Sequence, residues 1–211
     1  MSDVTLVIPG RNCAATIGPC LRSVVPLLQS AKLARVIFVD DASTDRTAQV
    51  VDDLIAELRQ GTSADVAIDV LSGPGKGAGG ARNIGWQAAD TDLIWFVDSD
   101  CVVDPDALQI LLQHLDADDV AAVGGSYGNM RPDSLVASLI HAEIVQRHRR
   151  MRLEVDFLAT FNVVYRRRVL AQLGGFDERF VKAQDAELAY RARRAGHRLR
   201  FDARSQVRHF H

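Results

Sequence analysis

Two aspartates, Asp98 and Asp100, stand one residue apart at the end of a short apolar run. That run, Leu93–Val97, is rich in β-branched and aromatic side chains, which is typical of a strand buried on both faces. Because side chains alternate along a strand, both carboxylates should point to the same side. Neighbouring carboxylates repel each other unless a cation or proton lies between them, so the pair predicts a divalent-ion site. A strand end followed by a helix cap is the simpler alternative, since Asp104 precedes Pro105.

Other polar residues occupy equivalent positions after further apolar runs. Strands are predicted at Val4–Pro9, Arg35–Val39, Val66–Leu71 and Val120–Gly124, and the amphipathic segments between them predict helices. This alternation predicts an α/β fold with a mostly parallel central sheet flanked by helices. Ligands of such sheets bind outside the carboxyl ends of the strands. The residues at those ends are Asn12, Asp40, Asp41, a Gly-rich loop, Asp98 and Asp100.

The Gly-rich loop after the third strand contains a G-x-G-x-x-G match at Gly75, Gly77 and Gly80. The spacing resembles a dinucleotide-binding fingerprint, but that fingerprint belongs on the first strand of its unit with a tighter turn. The alternative is a helix N-terminus that lies near a diphosphate, with Arg82 and Asn83 turned toward the ligand.

The second part of the chain is less regular. A helix is predicted from Pro132 to about Arg152, a strand at Phe161–Tyr165, a helix at Asp185–Ala195, and two short strands at Arg198–Phe201 and Gln206–Phe210. The first of these helices ends in a basic cluster, formed by Arg147, Arg149, Arg150 and Arg152. That cluster could contact anionic lipid or a lipid-linked phosphate at a membrane surface, or could be a solvated helix face. We expect one domain with halves 1–130 and 131–211.

Composition favours an ordinary globular protein, with 47% hydrophobic and 25% charged residues. No apolar run has the length of a membrane span, and the N-terminus lacks the features of a signal peptide. Three cysteines without metal-type spacing suggest a reducing compartment. We therefore expect a cytoplasmic protein.

Charge is divided unevenly along the chain. Residues 1–130 carry 8 Lys+Arg against 18 Asp+Glu, whereas residues 131–211 carry 17 against 9. The two halves could simply neutralise each other where they pack. Alternatively, an acidic metal-and-base region faces a basic region that receives an anionic group. The pattern does not indicate nucleic-acid binding.

Six motifs then occur in a characteristic order: VIPGRN, FVDDASTDRT, GKGAGGARNIG, FVDSD, GGFDERF and QDAELAYRARRAG. From about Val4 to His209 the chain resembles the family-two glycosyltransferases with the GT-A nucleotide-sugar fold. The resemblance implies transfer of a sugar from a UDP- or GDP-linked donor to an acceptor hydroxyl, with Mg²⁺ or Mn²⁺ as cofactor. A single base opposite the leaving group implies inversion. The acceptor is a carbohydrate, a lipid-linked molecule or a small molecule.

The resemblance also assigns residues to the site. The metal would be held by Asp100, with His209 near the metal or diphosphate, although His209 could equally belong to an unstructured tail. The catalytic base would be Asp185, preceded by Gln184 where the family usually has Glu. A helix N-cap is the simpler alternative for Asp185. Residues expected to bind the nucleotide sugar are Pro9, Asn12, Asp40, Asp41, Arg82, Asn83 and Asp98.

Four other classes of protein fit parts of this pattern. A retaining transferase and a sugar nucleotidyltransferase use related sheets, but the nucleotidyltransferase needs a long basic Gly-rich opening loop that VIPGRN lacks. A phosphoryl-receiver domain also places carboxylates at strand ends, in about half this length. A nucleotide-sugar-binding protein that has lost catalysis is the fourth, and Gln184 is the feature that suggests it.

Overall fold

A computed structural model describes residues 4–29, 33–61, 67–129, 142–143, 146, 148 and 151–210. Within these ranges nine strands form one sheet, flanked by six helices. The strands are β1 Val4–Gly10, β2 Arg35–Asp40, β3 Ile68–Ser72, β4 Leu93–Val97, β5 Cys101–Val103, β6 Val120–Asn129, β7 Glu154–Val155, β8 Asn162–Arg166 and β9 Arg198–His209. The helices are α1 Ile17–Gln29, α2 Thr47–Gly61, α3 Ala78–Ala88, α4 Ala107–Leu112, α5 Arg167–Leu173 and α6 Gln184–Arg194.

The first four strands form a parallel unit in the order β3-β2-β1-β4. Every residue of β1 and β4 is buried, which explains their largely apolar sequences. Their carboxyl ends therefore lie along one rim of the sheet. The predicted α/β class is confirmed.

The second part extends this sheet with strands of both directions. β8 lies antiparallel between β4 and β6, β9 runs parallel to β6, and β5 and β7 each pair antiparallel with β9. Following these pairings, six of the nine strands found in the described ranges point the same way, namely β1 to β4, β6 and β9. The sheet is thus mostly parallel in direction, with its mixed pairings confined to the later part.

Helices cover both faces of the sheet. Apolar side chains of α1, α2 and α4 pack on one face, and those of α3, α5 and α6 pack on the other. Within β4, Trp95 belongs to the first cluster and Phe96 to the second, and both are fully buried. Burial of each of these side chains contributes about 1.5–3 kcal/mol to the free energy of unfolding. Because its side chains enter both clusters, β4 connects the two core layers directly beneath the rim.

Several predicted boundaries were wrong. The two short strands at the end of the chain are one continuous strand, β9, because a shift in its pairing with β6 after Gly125 absorbs the residues between them. Cys101–Val103 also forms a strand that was not predicted. Asp104 does not cap the next helix, which begins at Ala107, and its carboxylate accepts a hydrogen bond from Arg208 instead. Most of the helix predicted from Pro132 to Arg152 lies outside the described residues.

Candidate active site

Asp98 and Asp100 lie in a turn that joins β4 to β5. The Cys101 amide donates a 3.1 Å hydrogen bond to the Asp98 carbonyl, which closes this turn. Because the strand ends at Val97, its side-chain alternation does not continue to Asp100, and the two carboxylates have different partners. Asp98 pairs with Arg82, whereas Asp100 lies beside His209. The two aspartates are therefore not equivalent.

Asp100, Cys101 and His209 form a candidate metal centre. One ligand atom from each lies within 4.8 Å of the others, and His209 Nε2 is 3.4 Å from Asp100 Oδ2. Cys101 and His209 are directly opposite each other in the antiparallel β5–β9 ladder, which places their side chains together. Burial, and secondarily the charge of Asp98, raises the pKa of the Asp100 carboxyl. A cation at this position would offset both effects.

The donor set fits a divalent ion. Carboxylate oxygen suits Mg²⁺ and Mn²⁺, and imidazole and thiolate groups favour softer transition metals. Asp100 and His209 were predicted from the sequence, but Cys101 was not. Its proximity to His209 depends on the pairing of β5 with β9, and no local sequence pattern indicates that pairing.

Arg82 connects the aspartate turn to the start of α6. Its Nη2 donates a 2.6 Å hydrogen bond to Asp98 Oδ1, and its Nη1 donates a longer one of 3.4 Å to Gln184 Oε1. The guanidinium carbon lies 5.7 Å from the centre of the Phe176 ring. Arg82 is only 5% exposed. The side chain is thus a buried cation between the DSD and QDAE segments, and it orients both Asp98 and Gln184.

Asp185 is the second residue of α6 and is half-buried. Its Oδ1 accepts a 2.9 Å hydrogen bond from the Ala186 amide, so it does interact with the helix N-terminus. Burial first, and the negative charge of Asp185 second, raise the pKa of Tyr165, whose hydroxyl is buried without a hydrogen-bond partner in the described part of the chain. Within the described part of the chain no hydrogen bond to Asp185 Oδ2 is found, so this oxygen can receive a proton, as a base requires.

Asp41 fixes the Gly-rich loop in place. Its two carboxylate oxygens accept hydrogen bonds from the Gly75 amide at 2.8 Å and from the Gly77 amide at 2.7 Å. Gly75 and Gly77 have φ values of 78° and 90°, a region that other residues rarely adopt. Asp41 is 2% exposed. It therefore acts on this loop directly, and its contact with a nucleotide base stays a prediction.

Asn12 and Asp40 tie the first two strand ends together. Asn12 Oδ1 accepts a 2.7 Å hydrogen bond from the Thr44 backbone amide. The backbone amide of Asn12 donates to Ser43 Oγ at 2.9 Å. Asp40 Oδ1 accepts from the Ser43 amide at 3.1 Å. Pro9 is buried within β1. Asn12 and Asp40 thus lie on the predicted rim, while Pro9 shapes it through the backbone.

Asn83 holds the GGFDE turn, and its amide group is fully engaged. Its Nδ2 donates to the Phe176 carbonyl at 2.8 Å and to Glu178 at 3.3 Å, and its Oδ1 accepts from the Phe176 amide at 2.8 Å and from Trp86 Nε1 at 3.0 Å. These four hydrogen bonds use both donors and both acceptor sites of the side chain. Its contact with the base or diphosphate stays a prediction.

Of the basic cluster predicted near the membrane, Arg147, Arg149 and Arg150 lie outside the described residues, and Arg152 is exposed. Among the helices that the structure describes, none is long and apolar enough to cross a membrane.

Comparison with known proteins identifies the class. The model of the family "Glycosyl transferase family 2" matches residues 5–174, so the chain belongs to this family, and the resemblance seen in the sequence is confirmed. It is 34% identical to the pre-mycofactocin glycosyltransferase of Mycobacterium tuberculosis, over 99% of this chain and 43% of that protein. It is 27% identical to the probable glycosyltransferase YdaM of Bacillus subtilis, over 95% of this chain and 49% of that protein. The chain thus spans less than half the length of these two relatives.

Solved structures confirm the GT-A fold. The mannosyltransferase PcManGT from Pyrobaculum calidifontis, in complex with GDP-Man and Mn²⁺, aligns with a TM-score of 0.74 at 22% identity, over 99% of this chain and 58% of that one. GalNAc-T7 with UDP, GalNAc and Mn²⁺ aligns with a TM-score of 0.77 at 17% identity, over 100% of this chain and 44% of that one.

Proposed function

We propose that this protein transfers a sugar from a UDP- or GDP-linked donor to an acceptor hydroxyl, with inversion at the anomeric carbon and with Mg²⁺ or Mn²⁺ as cofactor. The observation that carries the proposal is the chain of contacts from Asp98 through Arg82 to Gln184, the residue before Asp185. These contacts support a shared site for the candidate base, which follows Gln184, and the candidate metal centre, which lies beside Asp98. Similar structures hold GDP-Man or UDP together with Mn²⁺, which supports the donor class and the metal.

Each residue has a chemical task in this reaction. Asp100 and His209 would hold a divalent ion, which when bound would supply positive charge to stabilise the departing diphosphate. Asp98, oriented by Arg82, accepts hydrogen bonds from the ribose. Asp185 accepts the proton of the acceptor hydroxyl as its oxygen forms the new glycosidic bond. The Gly-rich loop, fixed by Asp41, and the rim residues Asn12 and Asp40 surround the nucleotide, with Pro9, Arg82 and Asn83 supporting them.

Gln184 supports a second candidate, a nucleotide-sugar-binding protein without turnover. A neutral amide stands where the family usually has a carboxylate, and it accepts only a long hydrogen bond from Arg82. Measured turnover would distinguish the proposed transferase from this binding protein, and the stereochemistry of the product would distinguish it from a retaining transferase. The cytoplasmic location, the contact of the basic cluster with a membrane, and the division into halves 1–130 and 131–211 stay predictions.

Calorimetry with a panel of UDP- and GDP-sugars, with and without Mn²⁺, tests the proposal. We expect one nucleotide to bind more tightly with Mn²⁺, and Asp100→Ala to abolish the metal effect. Asp185→Asn should remove transfer while sparing nucleotide affinity. Asp118→Asn is the matched control, because its side chain is 91% exposed on the surface. Nucleotide binding that is unaffected by Mn²⁺ and by Asp100→Ala would contradict the metal assignment. Turnover by Asp185→Asn at the native rate would contradict the assignment of Asp185 as the base.

A further inference from the structure

A cavity of about 580 Å³ lies beside the candidate metal centre, since Asp98 and His209 both line it. Cavities of roughly 300–1,000 Å³ are typical of small-molecule sites. Most of the remaining wall is apolar and aromatic, formed by Tyr127, Met151, Phe157, Leu158, Phe161 and Phe201. The cavity therefore has a polar end at the reacting centre and an apolar body.

The aromatic wall is held in place by ring contacts. The Tyr127 and Phe161 rings meet edge to face at 4.8 Å, and the Tyr127 ring lies 5.7 Å from that of His209. The His148 and Phe201 rings are 5.0 Å apart. Such contacts restrict ring motion and preserve a defined shape. An unbroken aromatic surface thus extends from His209 at the reacting centre to Phe161.

Leu158 completes this wall because β6 carries a glycine opposite it. A Cβ atom at Gly124 would lie 2.6 Å from Leu158 Cδ2, so only glycine lets the leucine pack this closely. Leu158 is 2% exposed. The apolar lining is thus built into the core of the fold, and is more than a loose surface patch.

The wall discriminates between kinds of acceptor. A sugar ring carries hydroxyls around its whole edge, and each one buried against apolar side chains loses its water partners without replacement. Among the described residues of the lining, the polar side-chain groups are those of Asp98, His148 and His209 and the hydroxyl of Tyr127, against a wall that is otherwise apolar. An apolar ring, in contrast, brings no polar group of its own against this wall, and its burial is favourable.

We infer that the acceptor is an alcohol or phenol whose hydroxyl is carried by an aromatic body, and that this body occupies the cavity. The inference rests on the proposed glycosyl transfer. The acceptor oxygen forms the new bond to the anomeric carbon, the bond from that carbon to the diphosphate oxygen breaks with its electron pair, and the hydroxyl proton passes to Asp185. The aromatic wall holds the acceptor with its hydroxyl at the polar end of the cavity and directed toward Asp185, the residue after Gln184 in the contacts that run from Asp98 through Arg82.

Three probes of different chemistry test this assignment: 2-phenylethanol, 1-octanol and methyl glucoside. Binding is measured by saturation-transfer NMR, and product formation is measured with the nucleotide sugar identified by calorimetry. We expect 2-phenylethanol to accept the sugar at least about tenfold faster than methyl glucoside at equal concentration, the minimum that apolar pocket contacts provide. Equal or better use of methyl glucoside overturns the inference, and preference for 1-octanol overturns its aromatic part.

Variants of the wall locate the bound probe. Phe161→Ala and Phe157→Ala should each weaken 2-phenylethanol binding about fivefold or more, because each removes an aromatic face of the wall. UDP or GDP affinity in the same samples reports that residues 1–130, which carry most of the predicted nucleotide contacts, are folded. Tyr190→Ala is the matched control, because Tyr190 is 58% exposed on α6 and does not line the cavity. Unchanged binding in both wall variants overturns the assignment.

Donor hydrolysis by water distinguishes this failure from failure of the proposed function. If the protein hydrolyses a nucleotide sugar but no probe binds, the transferase proposal stands and the cavity assignment is wrong. If 2-phenylethanol binds and Phe161→Ala weakens it, while no donor is bound or hydrolysed, the cavity takes aromatic molecules but the proposed transfer is wrong.

Discussion

Arg82 donates a 2.6 Å hydrogen bond to Asp98 from a side chain that is almost completely buried. Asp98 itself has a side chain that is 32% exposed, so one member of the ion pair is fixed in the core while the other reaches the site. The neutral Gln184 is the other hydrogen-bond acceptor of this guanidinium. The charge of Arg82 is therefore directed mainly at Asp98, and three predictions concern this connection and the turn beside it.

Arg82→Met should destabilise the protein by about 2 kcal/mol, because it leaves the partly buried Asp98 carboxylate without its cation. Urea unfolding measures this change, and calorimetry of the folded variant should show weaker nucleotide binding. Arg168→Met is the matched control, since its ion pair with Asp118 is exposed and should contribute less than about 1 kcal/mol. Equal effects of the two changes would show that the Asp98 pair has no special importance.

Gln184→Glu should stabilise the protein by about 0.5–1 kcal/mol, because a carboxylate strengthens the long hydrogen bond from Arg82. It restores the residue usual in the family, so transfer should be maintained or increased. Urea unfolding and product formation measure the two effects. Loss of stability would mean that repulsion between the new carboxylate and its acidic neighbours Asp98 and Asp185 outweighs the gain at Arg82.

Cys101→Ser should change the kind of metal that the protein prefers. Co²⁺ bound to the native protein should give a thiolate-to-cobalt absorption band in the near ultraviolet, because Cys101 shares its site with Asp100 and His209. The serine variant should lose this band and bind Mn²⁺ no more weakly than the native protein. Cys20→Ser is the control, since this buried thiol lies outside that ligand group. An identical spectrum in Cys101→Ser would exclude sulfur ligation.

Asn83→Ala should destabilise the protein by about 3 kcal/mol, because the buried amide and carbonyl of Phe176 and the Trp86 indole lose their partners. Urea unfolding measures the loss. Asn83→Asp is a useful companion, since it keeps the acceptor toward the Phe176 amide and removes the donors. If Asn83 instead acts mainly on the nucleotide, stability will be unchanged and only nucleotide affinity will fall.

Asp202→Asn should reduce the loss of folding stability that occurs as the pH falls into the acid range. Hydrogen bonds from Arg204, and then from His114, hold the pKa of the Asp202 carboxyl well below its ordinary value. A folded-state pKa below the unfolded one stabilises the protein above the unfolded pKa, and this stabilisation is lost as pH falls. The native protein should therefore lose more stability than the variant between about pH 5 and about pH 3. Urea midpoints measure this. Parallel profiles would contradict the assignment, and Asp118→Asn serves as the exposed control.

Local patterns were sufficient to predict the parallel half of the sheet and the polar rim above it. The apolar runs of β1 and β4 indicated strands, the second of them buried on both faces, and polar residues at the carboxyl ends of parallel strands meet at one edge. Asp100 was predicted as a metal ligand from the resemblance of its DSD segment to the family motif, and it lies in the candidate metal centre. These features depend on residues close together in the sequence.

Contacts between distant segments could not be predicted in the same way. Cys101 enters the metal centre through the pairing of β5 with β9, which depends on register and not on local composition. Asp41 and Asn83 look like ligand-binding residues in sequence, but their side chains hold the Gly-rich loop and the GGFDE turn. Buried polar groups must find partners, and a sequence does not reveal which partner each one has.

The docking of the long strand β9 determines when the candidate metal centre can form during folding. Asp100 lies in the middle of the chain, whereas its partner His209 arrives on β9, which joins β6, β5 and β7. During synthesis β1 to β4 emerge well before β9. The ligand pair is therefore assembled only when β9 docks. A metal that binds only the form with β9 docked would stabilise that form by mass action. Metal affinity can therefore serve as a direct measure of complete sheet formation.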